Sequence, residues 1–173
     1  MKLKMLFITA LCLSAGTASH ASQGMARLIA TSTATAFSGV AYFNDTKEGL
    51  NIKVTVQNAK PGKHAFHIHE FGSCDDMGKA AGSHFNPLMS PHGNILMGDM
   101  HKAHMGDFGN FEIKPDGTGK FEAVVPNLSL ANGPYTVGGR ALIFHEKIDD
   151  FSQPVGNAGG RIGCGVIVIS PAP

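Results

Sequence analysis

The chain has 173 residues, of which 14 are basic, 13 are acidic and 43% are hydrophobic. This length suits one domain built around a single core. The near-neutral charge provides no strongly basic surface, so the sequence favours neither nucleic acid nor an anionic membrane as a partner.

The N-terminal segment has the pattern of a secretory signal. Lys2 and Lys4 precede an apolar run over 5–15, and the small-x-small letters SHA follow as a cleavage site. The run is too short to span a bilayer as a mature helix. We therefore divide the chain into a signal peptide over 1–21 and a β domain over 22–173. This division predicts export, and no membrane contact once the signal has been removed.

The two cysteines of the predicted mature domain are Cys74 and Cys164. An exported chain with two cysteines is expected to bridge them, because disulfides persist in oxidising compartments. The bridge would close a loop of about 90 residues, which corresponds to about 4 to 5 kcal/mol in the chain-entropy description. A single long cross-link fits a globular domain better than a small disulfide-rich scaffold.

The first predicted strands form a hairpin. The segment 36–43 is rich in β-forming residues, and the letters NDTKEG after it indicate a turn. Between Leu50 and Gln57 apolar and polar residues then alternate strictly, which is typical of a strand with one buried face. A second hairpin is predicted around the letters PDG, with strands at 111–113 and 121–125.

Two further strands are predicted from the letters RALIFHE and CGVIVIS near the end of the chain. Because long helical patterns are absent, the sequence predicts an all-β fold, a sandwich or barrel of about seven or eight antiparallel strands. The segments 71–109 and 146–160 are too long for hairpin turns. Loops of this length on a compact β scaffold are functional or disordered.

Histidines are concentrated in one part of the domain. Seven of them lie between His64 and His104, and an eighth is His145. If the letters HAFHIHE form a strand, His67 and His69 point to the same face and make half of a metal site. Imidazole alone suits copper, whereas imidazole combined with carboxylate suits zinc. Spacing alone does not divide the candidate ligands between two such sets.

The letters GDMHKAHMGD pose the same problem locally. They contain two His/Asp pairs, Asp99 with His101 and His104 with Asp107. Either pair has the residue types that a zinc site requires. From the residues alone the two pairs are equivalent, so the choice between them stays open at this point.

Six segments of the chain, in order, match one known family. The chain resembles the Cu,Zn superoxide dismutases from about Met25 to Ser170, and this resemblance implies the Greek-key β-sandwich or barrel of about eight strands with two long functional loops. The matching segments are GKHAFHIHEFGSC (62–74), GSHFNP (82–87), PHG (91–93), HMGDFGN (104–110), FHEKIDD (144–150) and GNAGGRIGCGVI (156–167).

The resemblance implies two metal sites that share one histidine. It also selects the His104 pair in the sequence GDMHKAHMGD and leaves His101 as a bystander in a short insertion. The implied copper ligands are His67, His69, His84 and His145. The implied zinc ligands are His84, His92, His104 and Asp107.

By the same resemblance the protein is expected to convert superoxide to dioxygen and hydrogen peroxide. A histidine-bound copper would alternate between its two oxidation states, and a structural zinc would share the bridging ligand His84. His84 would also deliver a proton, and Arg161 at the mouth of the channel would attract and orient the superoxide anion. Asp149 would hold the rings of His67 and His92.

The resemblance further implies the disulfide Cys74–Cys164 and a structural role without metal for His64. The short spacing from His69 to Cys74 is similar to that of the bacterial periplasmic branch, which agrees with the predicted signal. The segment 149–160 has no lysine or glutamate to guide the substrate, so Lys147, Lys102 or other basic residues would have to serve instead.

Two questions stay open at the sequence level. A homodimer is compatible with the resemblance, but family members dimerise through different surfaces and some are monomers. The alternative function is a non-enzymatic periplasmic copper- or zinc-binding protein on the same fold. Four methionines near the predicted zinc loop favour that alternative, since thioethers bind Cu(I); they are Met89, Met97, Met100 and Met105.

Overall fold

A computed structural model describes residues 22–170, so the predicted signal over 1–21 lies outside the described residues. The described chain is almost entirely β-structure. Its strands are β1 (Gln23–Ala30), β2 (Ser38–Thr46), β3 (Gly49–Gln57), β4 (Gly62–His69), β5 (Asp107–Ile113), β6 (Gly119–Val125), β7 (Ala141–His145), β8 (Arg161–Val166) and β9 (Val168–Ser170). Two single-turn 3-10 helices interrupt the first long loop, at Lys79–Ala81 and Ile95–Met97.

All nine strands belong to one antiparallel sheet with the order β5-β4-β7-β8-β1-β2-β3-β6, and β9 pairs with β1. The pairings of β4 with β7 and of β1 with β8 join strands that are distant in sequence, as a Greek-key topology requires. The terminal strands β5 and β6 contact each other, so the sheet curls into a nearly closed barrel. The predicted all-β fold is confirmed.

The first predicted hairpin is confirmed, whereas the second needs a correction. Strands β2 and β3 pair in continuous antiparallel register from Ser38↔Gln57 to Thr46↔Gly49. The segments 111–113 and 121–125 do lie in strands, but β5 and β6 are the two ends of the sheet and share no ladder. The rings of Phe111 and Phe121, with centroids 6.3 Å apart, pack together at this seam. Side-chain packing therefore closes the barrel where a hydrogen-bonded hairpin was expected.

The core follows directly from the strand pattern. On β3 the four apolar residues Leu50, Ile52, Val54 and Val56 are at most 1% exposed. A cluster of aromatic rings fills the barrel around Phe66, whose centroid lies 5.3 to 5.8 Å from four other phenylalanine rings. Each fully buried ring of this size contributes roughly 1.5 to 3 kcal/mol through removal of apolar surface from water.

Strand β4 is buried on both faces from His64 onward. One face adds Phe66 and Ile68 to the core, as the alternation predicted, and the other carries His67 and His69 beneath the long loops. The first of these loops is tied to β8 by the disulfide Cys74–Cys164, with a Cα–Cα distance of 5.7 Å. Within residues 22–170 no helix is long and apolar enough to cross a membrane.

Candidate metal centre

Four histidines converge at the ends of two neighbouring strands. His67 and His69 project from β4, and β4 pairs with β7, which ends at His145. An isolated antiparallel bridge between His69 and His84 brings the first long loop over them. One ligand atom from each of the four lies within 4.8 Å of the others, and all four residues are buried. This is a compact, imidazole-only group of the kind that suits copper.

A second group meets on one carboxylate. The Nδ1 atoms of His84 and His92 lie 2.8 Å from Oδ1 and Oδ2 of Asp107, respectively. The Nδ1 atom of His104 lies 3.2 Å from Oδ1 of the same carboxylate and 3.4 Å from Nδ1 of His84. Three imidazole nitrogens and one carboxylate form the mixed set that binds zinc in proteins.

His84 belongs to both groups. Its Nδ1 atom faces Asp107, so Nε2 is the ring nitrogen left for the group formed by His67, His69 and His145. The centroid of the His67 ring lies 4.1 Å from that of His84, and the centroid of His69 lies 4.9 Å from it. A single imidazole therefore separates the two groups and offers one nitrogen to each.

The protonation states of the two groups differ. Burial, reinforced by neighbouring positive charge, holds the pKa of His69 and of His145 well below the ordinary value. Burial also lowers the pKa of His84 to about 4, against the hydrogen bond with Asp107. At neutral pH these three rings therefore keep lone pairs that can bind a metal.

The pKa of His92 moves in the opposite direction. Burial opposes its charge, but hydrogen bonds with Asp107 and Asp149, together with their negative charges, raise its pKa to about 9. Burial would raise the pKa of the Asp107 carboxyl, yet its hydrogen bonds with three histidines hold that pKa well below its usual range. Asp107 is thus ionised at neutral pH, and its negative charge stabilises positive charge on the histidines or on a metal ion beside it.

Asp149 connects the two groups from behind. Its Oδ2 atom lies 2.8 Å from Nε2 of His67, and its Oδ1 atom lies 2.9 Å from Nε2 of His92. The backbone of Asp149 is itself held by the side chain of Asn110, which accepts from its N–H at 2.8 Å and donates to its carbonyl at 2.9 Å. One carboxylate thereby fixes one ring of each group and directs the opposite nitrogen, Nδ1, of each ring toward its own group of ligands.

Arg161 lies beside the histidines in an open cavity of about 560 Å³. Its guanidinium donates to the carbonyls of Gly78 at 2.5 Å and Gly82 at 2.6 Å. These two contacts hold the charged group in one orientation at the edge of the cavity. The cavity is lined by His69, Gly82, Ser83, His84, His145, Val155, Asn157, Ala158, Gly159 and Arg161.

The ambiguous His/Asp pairs are separated by their burial. His104 is 6% exposed and Asp107 is fully buried, and both lie in the second group. His101 is exposed, and its backbone N–H donates to the Asp99 side chain within a surface turn. His64 stands apart from both groups, with its ring nitrogens 2.9 Å from the carbonyl oxygen of His145 and 2.8 Å from that of Lys60.

Three residues near the site received no role from the sequence. Asn110 holds Asp149, Gln153 contacts the His92 backbone, and Gly156 lies against the carboxylate of Asp149. Asn110 lies within a segment that carries the family resemblance, which was its only sequence signal. Gly156 likewise begins a matching segment, whereas the contact of Gln153 depends on how the second long loop folds back, which no local pattern indicates.

The donor atoms fit the metals that the two groups suggest. Nδ1 of His67 is buried and has no hydrogen-bond partner within the described structure. A buried polar atom left unpaired costs about 1 to 3 kcal/mol, and a metal ligand bond would satisfy it. The chemistry of the two sets, four imidazoles in one and three imidazoles with a carboxylate in the other, suits copper and zinc.

Comparison with known proteins agrees with this geometry. A family model described as "Copper/zinc superoxide dismutase (SODC)" matches residues 37–167. "Superoxide dismutase [Cu-Zn] 5" of Dictyostelium discoideum is 36% identical over 134 residues, which cover 73% of this chain and 86% of that protein. "Superoxide dismutase [Cu-Zn]" of Onchocerca volvulus is 36% identical over 147 residues, covering 78% and 90%.

A solved structure and a third relative extend the comparison. The "Crystal Structure Analysis of the clock protein EA4" superposes with a TM-score of 0.76 at 34% identity, covering 91% of this chain and 100% of that one. "Extracellular superoxide dismutase [Cu-Zn]" of Brugia pahangi is 33% identical over 142 residues, covering 76% and 69%. The chain belongs to the copper/zinc superoxide dismutase family, as an oxidoreductase that acts on superoxide with copper and zinc as its cofactors.

Proposed function

We propose that this chain dismutates superoxide through two metal sites that share His84. The observation that carries the proposal is that two buried groups of ligand type meet at this one histidine. When bound, copper supplies the one-electron redox change of the reaction, and zinc, which has no redox chemistry, supplies a fixed positive charge beside the shared ring. The proposed copper ligands are His67, His69, His84 and His145, and the proposed zinc ligands are His84, His92, His104 and Asp107.

Arg161 is proposed to bind the substrate anion. Its guanidinium lines the same cavity as His69, His84 and His145, so a superoxide that enters the cavity meets a positive charge beside the imidazoles. The carbonyls of Gly78 and Gly82 occupy donors of the guanidinium and fix its plane. A preoriented cation in a partly buried cavity attracts an anion more strongly than a mobile surface charge does.

His84 is proposed to hold and deliver a proton at Nε2. Its Nδ1 atom is directed at Asp107, which leaves Nε2 on the side of the substrate cavity. Formation of hydrogen peroxide from superoxide takes up two protons, and an imidazole nitrogen at the cavity could hold one of them and exchange it with the substrate. Asp149 keeps His67 and His92 oriented while this exchange takes place.

The assignment of the ligands can be tested by single substitutions. We expect His145→Ala to lose copper and superoxide consumption, and His104→Ala to lose zinc, whereas the exposed His101→Ala keeps both metals. Metal per chain and superoxide consumption are measured for protein produced under oxidising conditions. A copper-loaded, fully active His145→Ala variant would contradict the copper set, and zinc loss in His101→Ala but not in His104→Ala would contradict the zinc set.

Export to the periplasm, with removal of residues 1–21, is a further part of the proposal. The signal-like N-terminus supports it, and so does the short spacing from His69 to Cys74 that is similar to bacterial periplasmic members. The compared relatives are eukaryotic, and one of them is named as extracellular, which supports secretion in general. N-terminal sequencing of the protein recovered from a periplasmic extract tests the assignment, and an intact N-terminus retained in the cytosol would contradict it.

A homodimer is the proposed oligomeric state. Val168, Met25 and Tyr42 lie side by side on β9, β1 and β2, and they are 59%, 39% and 52% exposed. Such an apolar row on an outer sheet face is typical of a surface covered by a second copy. Sedimentation of the wild type as a dimer and of Val168→Glu as a monomer is expected, and a monomeric wild type would contradict the proposal.

The alternative of a metal-buffering protein without activity is less well supported. Its sequence basis was the group of methionines near the zinc loop. Met89 and Met97 are 90% and 82% exposed, whereas Met100 and Met105 pack against the hydrophobic core. The four thioethers therefore occupy different environments, while three of the four proposed copper ligands, His69, His84 and His145, line a cavity together with Arg161.

A further inference from the structure

The side-chain amide of Gln153 pairs with the backbone of His92. Its Oε1 atom accepts from the His92 N–H at 2.9 Å, and its Nε2 atom donates to the His92 carbonyl at 2.9 Å. His92 lies in a segment without strand structure. Within residues 22–170 no other hydrogen bond reaches these two backbone groups. The backbone of His92 is therefore anchored by one side chain from the other long loop.

The ring of His92 is held from the same stretch of chain. Asp149 contacts its Nε2 atom at 2.9 Å, and Phe151 stacks near it with a centroid distance of 6.4 Å and an angle of 24° between the planes. Asp149, Phe151 and Gln153 alternate along five residues. In this segment Asp149 contacts the ring of His92, Phe151 stacks near that ring, and Gln153 binds the His92 backbone. The segment therefore helps to set both the position and the orientation of the ring.

A second amide makes the same kind of contact nearby. Asn110 pairs with both backbone groups of Asp149 at 2.8 and 2.9 Å. Asn110 thus fixes the residue that orients the His92 ring, and Gln153 fixes the backbone from which that ring projects. The segment 149–160 is short, and these two amides attach it to the metal centre at its beginning and at Gln153.

We propose that Gln153 is a positioning residue that keeps His92 in place for zinc. This inference rests on the proposed function, in which His92 is a zinc ligand. Without the amide, the N–H and the carbonyl of His92 lose their protein partners and form hydrogen bonds with water instead. The Nδ1 atom of His92 is then no longer held at one distance from Asp107. Outer residues that orient a metal ligand commonly change metal affinity by about 10- to 100-fold.

The test compares Gln153→Met, which keeps the length of the side chain but removes the amide, with Gln57→Met, an exposed glutamine on β3. In zinc-loaded protein, transfer of zinc to a chromogenic chelator is expected to become about tenfold faster for Gln153→Met. Gln57→Met is expected to match the wild type. Gln153→Glu is expected to be intermediate, because a carboxylate accepts from the His92 N–H but cannot donate to its carbonyl.

Cobalt(II) in the zinc site provides the second measurement, since its visible absorption bands report the ligand geometry. Altered bands in Gln153→Met and unaltered bands in Gln57→Met support positioning. Unchanged bands and an unchanged rate of zinc transfer overturn the inference, and so does a loss of thermal stability of the metal-free protein without any change in zinc release. If the wild type itself binds no zinc, the proposed ligand set is wrong and this inference falls with it.

Discussion

Replacement of Gly156 by alanine should displace the carboxylate of Asp149 from the histidines of the metal centre. The backbone of Gly156 has φ +74, and a Cβ atom built there would lie 2.0 Å from Oδ1 of Asp149 and 2.7 Å from Nε2 of His92. An ordinary contact needs about 3.4 Å, so the carboxylate would have to move by roughly 1.4 Å. The hydrogen bond of 2.9 Å that Oδ1 of Asp149 accepts from Nε2 of His92 does not survive such a shift.

The expected cost has two parts. A left-handed backbone costs an alanine about 1 kcal/mol. Loss of one charge-assisted hydrogen bond of Asp149 adds about 1.5 to 3 kcal/mol. Together these give a loss of roughly 3 kcal/mol in the free energy of unfolding of the metal-free protein. Zinc affinity is expected to fall about 10- to 100-fold, because His92 loses the group that orients it.

A matched glycine separates the two parts. Gly98 has φ +84 and no atom within 4 Å of its added Cβ, so Gly98→Ala carries the backbone cost without the clash. Urea denaturation of the metal-free variants and zinc titration of the same preparations provide the two measurements. If Gly156→Ala is no less stable than Gly98→Ala and keeps the zinc affinity of the wild type, the argument that this glycine makes room for Asp149 is refuted.

Three further predictions concern the cross-link, the core and the approach of substrate. Joint replacement of Cys74 and Cys164 by serine should lower the free energy of unfolding by about 4 to 5 kcal/mol, measured by urea denaturation, and a loss below about 1 kcal/mol would contradict the chain-entropy account. Phe66→Ala should cost about 3 to 5 kcal/mol in the same assay, since the ring contacts four other rings; a smaller loss would mean that the barrel collapses around the cavity. Lys147→Gln should slow superoxide consumption roughly two- to threefold at low salt but not at high salt. Its stem lies beside Gly159 on the cavity wall. Lys102→Gln is the control and should have a smaller effect, because that lysine forms an exposed ion pair with Asp99 on the first long loop.

Much of the fold could be predicted because most strands bury apolar side chains on one face. The strand at 50–57 shows a clear alternation of buried apolar and exposed polar side chains. Strand β1 lacks such a clear alternation, and it was not predicted from the sequence. Two of its three buried positions are the small residues Gly24 and Ala26, the third is Leu28, and the outward Met25 and Ile29 are apolar and exposed. A Cβ at Gly24 would lie 2.7 Å from the carbonyl oxygen of Val168, so the close approach of the two strands requires glycine at this position. Because glycine has no side chain, the apolar alternation of β1 is not visible in the sequence there.

Part of the candidate site could likewise be predicted from local sequence patterns, and part of it depends on contacts between distant segments. The pairing of His67 and His69 on one strand face follows from the two-residue period. The convergence of three Nδ1 atoms on Asp107 does not, because the ligands come from a loop whose path is set by the His69–His84 bridge. Family resemblance supplied the assignment of each histidine to one of the two sets. Packing of the second long loop against the first, through Gln153 and Gly156, was visible only in three dimensions.

The chemistry of the centre and the stability of the fold are coupled through its burial. The seven proposed ligands are at most 6% exposed, and they crowd imidazole nitrogens around one carboxylate. Within the described structure Nδ1 of His67 is buried without a hydrogen-bond partner, and the Nε2 atoms of His69 and His145 lie 3.3 Å apart. Crowded imidazoles and unpaired polar atoms in a buried site oppose folding. Bound metal ions remove both costs, so metal affinity and folding free energy rise together at this site.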